Sequence, residues 1–114
     1  MALPVLTRAL VEAKLKNYCE RRIPAHVSSS VRLTFNIRGN SVTLNEERPR
    51  FNYPSSWTAT PVAQFRFNPE TSAWTLYCAD RNSRWHPYSE SDPAPQLETL
   101  LKSVDEDVTG IFWG

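Results

Sequence analysis

An α+β fold is what this sequence predicts: an antiparallel meander sheet of four to five strands, with one N-terminal and one C-terminal helix packed on it. Three observations carry that prediction. Apolar residues recur at helical spacing near each end, the period drops to two between them, and the alternating stretches are joined by short turn signals rather than helical crossovers. A chain of 114 residues with 40% hydrophobic content has room for one layered core, so a single domain over residues 1–114 is expected.

The first helix is expected to start with Thr7 as N-cap, Leu6 and Val11 being spaced for a hydrophobic staple. Val11, Leu15, Tyr18, Cys19 and Ile23 form its apolar stripe, Arg8, Glu12, Lys14, Lys16, Glu20 and Arg21 fill the other face, and Pro24 stops it. From Val31 the period is two. Val31, Leu33, Phe35 and Ile37 alternate with Arg32, Thr34, Asn36 and Arg38; Gly39-Asn40 supplies a hairpin turn, and Val42 and Leu44 continue the inward set.

Residues 48–57 combine three aromatics and two prolines without periodicity and read as a structured loop with a strand end. Residues 62–67 resume extended character, Asn68-Pro69-Glu70-Thr71 turns, and Trp74, Leu76 and Cys78 alternate with Ala73, Thr75 and Tyr77. After a turn at residues 80–83, Arg84 to Tyr88 makes a short last strand whose Pro87 suits a sheet edge. Asp92 as cap and Pro93 at the first position would open a last helix with the stripe Leu97, Leu100, Leu101 and Val104, ended by Gly110. With both helices on the apolar face, the other face should present Arg32, Thr34, Asn36, Arg38, Thr43, Asn45, Gln64, Arg66, Thr75 and Tyr77.

Composition narrows the functional classes. No stretch approaches the ~20 apolar residues of a membrane span, and Met1 to Leu6 lacks the basic leader and cleavage site of an export signal, so a cytoplasmic protein with no membrane partner is expected. Cys19 and Cys78 then read as free thiols. With His26 and His86 they lack the close ligand pairing of zinc domains, and no cofactor motif is present, so neither metal nor cofactor is expected. The net charge of +1 hides an asymmetry: residues 1–30 and 31–88 each net +3, whereas from Ser89 onward Lys102 alone faces six acids.

Four pieces, Glu47-Arg48-Pro49-Arg50, Pro61-Val62-Ala63, Trp85-His86-Pro87-Tyr88, and Asp105-Glu106-Asp107 with the terminal Gly110-Ile111-Phe112-Trp113-Gly114, resemble a family of small bacterial proteins known as a domain of unknown function. The similarity runs from about Leu10 to the C-terminus. The resemblance implies a bacterial origin and no chemistry.

Candidate site residues follow from side-chain type and strand parity. His86 and Tyr88 should share one strand face with Trp85 on the other, and Arg48 and Arg50 should point the same way as a cationic fork for carboxylate or phosphate. The bland alternatives are a histidine bonded at a sheet edge and arginines paired with the acidic tail, Glu46 or Glu47. The apolar tail Ile111 to Gly114 should bury against its own core, while Asp105, Glu106 and Asp107 sit where a helix dipole disfavours them, so that either nearby arginines compensate or the acids serve something external.

Three functions compete. A non-catalytic interaction or regulatory module, binding another protein through the open sheet face, an edge strand or the tail, comes first because positive signs of chemistry are missing. Single-stranded nucleic-acid or anionic-ligand binding draws on arginines interleaved with Tyr53, Trp57, Tyr77 and Trp85, against a near-neutral charge and an acidic C-terminus. A small enzyme would use His86 with Tyr88, Asp80, Arg48 or Arg50.

Overall fold

Pro4 has no amide hydrogen to leave unpaired and a backbone already set near helical φ, and the first helix of the computed structural model starts directly after it. The structure describes residues 2–113; Met1 and Gly114, the outer ends of the two apolar terminal segments, lie outside the described residues. Helix α1 spans Val5–Arg22. Thr7 is thus inside the helix rather than its cap, and Leu6 is 80% exposed, so no staple to Val11 forms. The predicted stripe holds: Val11, Leu15 and Tyr18 are buried, with Cys19 and Ile23 packed at its rim.

A single 3-10 turn at Ala25–Val27 leads into strands β1 (Arg32–Arg38), β2 (Ser41–Pro49), β3 (Trp57–Asn68), β4 (Ala73–Ala79) and β5 (Trp85–Pro87), followed by helix α2 (Leu97–Glu106). The strands pair antiparallel in sequence order, so the expected meander is present, with β1 and β5 at its edges. Gly39 takes positive φ in the two-residue β1–β2 turn. Leu44 faces Ala63 and Asn45 faces Pro61, which leaves Val62 as the extra residue of a bulge. A bulge there accommodates a proline in a central strand.

Both strands flanking the long loop run further than expected. β2 and β3 run on together as far as Pro49 and Trp57, so the irregular connection shrinks to residues 50–56. The extension hid in the sequence because neither helix covers it, and without a buried face no apolar alternation is required.

The core is the helix-side face of the sheet. Leu33, Val42, Leu44, Phe65, Leu76 and Cys78 pack against Val11, Leu15 and Tyr18 of α1 and Leu97, Leu100 and Val104 of α2. Each such side chain contributes roughly 1.5–3 kcal/mol by leaving water. α2 starts later than Asp92-Pro93 suggested, because Ala94 exchanges both backbone hydrogen bonds with Trp74, at 2.9 and 2.7 Å, and so holds that segment extended. α2 also ends before Gly110: Asp107 takes the left-handed conformation at φ 42°.

Candidate functional site

The five predicted site residues fall into three separate places. Arg48 lies on the outer half of β2, where its Nε meets Glu46 Oε1 at 2.9 Å; of the internal partners expected for it, it takes the neighbouring glutamate and does not clamp the acidic tail. Arg50 follows at the strand end, and its amide donates to the Ser56 carbonyl at 2.8 Å to close the loop. Both arginines line one groove of about 430 Å³ at the tip of the β2–β3 arm, together with Thr58, Thr60, Phe51 and Tyr53. Phe51 is 98% and Tyr53 66% exposed. Tyr53 was read among the aromatics interleaved with arginines, whereas Phe51 was not singled out, although the density of aromatics in the loop was the available signal.

At the opposite edge, His86 and Tyr88 do share the helix-side direction, as strand parity requires, but they do different work. Tyr88 is buried, its ring 4.8 Å from that of Phe112 and its hydroxyl 3.3 Å from Thr109 Oγ1. His86 stays at the surface with Nε2 2.7 Å from Asp80 Oδ2. The Asp80 carboxyl is held below the usual carboxylate range by the Arg84 amide and then by His86, and its other oxygen takes the amides of Asn82 and Arg84. This aspartate shapes the β4–β5 turn. Two strands separate β5 from β2, and residues 85–88 are not among those lining the arm groove.

The thiols offer little nucleophilic chemistry. Burial pushes the Cys19 thiol up to about 11, so it is protonated at neutral pH, and burial likewise raises Cys78, which points at the His86 carbonyl rather than its ring. Among the described residues no three His, Cys, Asp or Glu side chains gather in a set able to hold a metal ion.

The sheet face turned away from the helices is organised differently. Cross-strand pairing puts Asn36 beside Thr43, Thr43 beside Gln64, and Gln64 beside Tyr77, so the predicted polar row is real and none of these residues is buried. Arg66 lies over the Tyr77 ring at 3.9 Å and bonds Gln64 at 2.6 Å. Arg32 lies over the Trp57 ring at 4.1 Å while its Nε bonds Glu47 at 2.8 Å. Thr34 donates to the second Glu47 oxygen, and these two bonds hold that carboxyl below its ordinary range. Trp85, opposite Ala79, belongs to this same face.

Arg32 and Trp57 are 25 residues apart, and only the β1–β2–β3 register joins them. Their pairing was therefore invisible in the local sequence pattern, whereas the polar row followed from alternation alone.

Fold and surface together define an α+β protein with a one-sided sheet, helices on one face and an arginine–aromatic array on the other. Within that class the chain belongs to the family described as Domain of unknown function (DUF3024), which it matches over residues 3–114. That span contains the whole region on which the sequence resemblance rested. No curated protein and no solved structure matched the chain.

Proposed function

We propose that this protein is a non-catalytic interaction module of a bacterial cytoplasm, engaging a macromolecular partner with its helix-free sheet face and the adjoining β2–β3 arm. One observation carries this reading: the face left uncovered by the helices holds two arginine–aromatic stacks, one bonded on through Gln64 to Thr43 and the other through Glu47 to Thr34. Arginine and aromatic side chains dominate binding energy at interfaces, because they bury large areas and bond directionally. The arm adds Phe51 and Tyr53, large side chains in water with no core behind them. Among the described residues no helix is long and apolar enough to cross a membrane.

Site-specific photo-crosslinking in bacterial cells tests the proposal. A crosslinking residue in place of Thr75 or Phe51 is expected to give covalent adducts, and one in place of Lys102 on α2 to give none. Adducts from all three positions alike, or from none, would refute the assignment of the surface.

A further inference from the structure

The helix-free face has a composition that selects among partners. Among the described residues Arg32, Arg38 and Arg66 lie on it with Glu47 as the one acid, whose two oxygens are already engaged by Arg32 and Thr34. The acids that bring the chain near neutrality are used elsewhere. Asp105 meets Tyr18 and Arg22, Glu98 meets Lys14, and Asp107 takes the amides of Phe112 and Trp113. All of these belong to the helix side, so the near-zero net charge conceals a basic sheet face.

We infer that this face binds single-stranded nucleic acid, the phosphates meeting Arg32, Arg38 and Arg66 and unpaired bases stacking on the guanidinium–aromatic pairs. The inference rests on the reading of the face as the working surface. A guanidinium held over a ring brings two planar groups together, and unpaired bases stack on guanidinium planes as they do on aromatic rings. Arg32 keeps about half of its side-chain surface open, 49%, while so stacked. Tyr77 stands opposite Gln64 and Thr43, and Arg32 stands opposite Glu47, four residues further along β2. At ~3.3 Å per residue the two pairs are offset by about 13 Å along the strands, room for a few nucleotides.

Between the stacks, Asn45 donates to Asn36 at 3.0 Å and Gln64 to Thr43 at 3.0 Å. Each amide has two N–H donors and two acceptor lone pairs, so these bonds leave capacity to read base edges. A flat sheet face bears no helix to enter a major groove, which disfavours duplex. An acidic polypeptide would satisfy the arginines but would leave the planar stacks unused.

Fluorescence anisotropy with the intact chain decides the matter, using a labelled 12-nucleotide oligo-U, a 12-base-pair duplex and poly-glutamate. The oligo-U should bind more tightly than the other two. Three phosphate contacts give a log–log salt slope of about −2, hence roughly 15-fold weaker binding at 200 mM than at 50 mM salt. Arg32→Gln and Arg66→Gln should each weaken it at least about fivefold, with unchanged circular dichroism, and Lys102→Ala should leave it unchanged. No oligo-U binding at 50 mM salt, equal affinity for duplex, or indifference to both arginine variants would overturn the inference. Poly-glutamate binding in its place, with adducts still forming at Thr75, would discard nucleic acid while retaining the interaction module; loss of those adducts would discard both.

Discussion

The C-terminal segment and the β2–β3 arm draw on the same residue types, aromatics beside charges, and use them oppositely. In the C-terminal segment Asp107, Phe112 and Trp113 all have internal partners. The Trp113 indole donates to the Val104 carbonyl at 3.1 Å under the Arg22 guanidinium, and the Asp107 carboxylate takes the amides of Phe112 and Trp113 at 3.0 and 2.9 Å. In the arm, Arg48 meets a glutamate two residues away, while Phe51 and Tyr53 face solvent. The difference is the layer beneath. The tail returns over a helix and a sheet and is absorbed into the core, whereas the arm extends beyond both helices and has nothing to pack on.

The largest effect separating the two regions should come from Phe112→Ala. Phe112 is buried against Tyr88, so its truncation should cost ~3–5 kcal/mol, the range for large aromatic side chains removed from a core. Equilibrium denaturant unfolding gives the value directly. An unchanged midpoint would place the tail with the arm, as surface.

A smaller effect should arise where the acidic end of α2 meets α1. The Tyr18 hydroxyl donates to Asp105 at 2.6 Å, and burial, followed by that carboxylate, raises the phenol's pKa well above the ordinary value of 10.0. The folded state therefore holds the proton more tightly than the unfolded chain. Its stabilisation is fully present below pH 10 and drains away as pH rises from there toward the folded value. Tyr18→Phe should cost ~1–3 kcal/mol at neutral pH and flatten the alkaline decline. Melts of both proteins between pH 8 and 11 compare the slopes; parallel curves would mean that Tyr18 carries no linkage.

What the sequence made legible follows the same division. Val11, Leu15 and Tyr18, the β1 alternation and the Leu97–Val104 stripe were readable because each buries a face, and burial imposes a period. The polar row from Asn36 to Tyr77 came with them as the complement. The outer halves of β2 and β3 were not readable, since a ribbon exposed on both faces carries no apolar period. The α2 start was misplaced because a tertiary bond, Ala94 to Trp74, outweighs the capping preference of Asp92 and Pro93. The proposed site suffered similarly: side-chain type suggested His86 with Tyr88, and packing assigned the tyrosine to the core. The Arg32–Trp57 stack needed register across three strands.

The smallest expected effect is the sharpest test of the comparison. Phe51→Ser and Arg50→Ala alter the arm's most conspicuous side chains, yet each should change stability by no more than ~0.5 kcal/mol, because neither side chain supports a buried layer. The loop's order comes instead from its backbone, through Arg50 to Ser56 at 2.8 Å and Ser56 to Tyr53 at 2.9 Å. These bonds do not depend on the side chains removed. Urea unfolding of both variants beside Phe112→Ala puts the two regions on one scale. If Phe51→Ser cost as much as the tail substitution, the arm would have to fold back onto the body in solution, and its aromatics would belong to the fold. If it costs nothing while crosslinking from a photo-reactive residue in place of the neighbouring Asn52 is lost, Phe51 serves what it touches outside the chain.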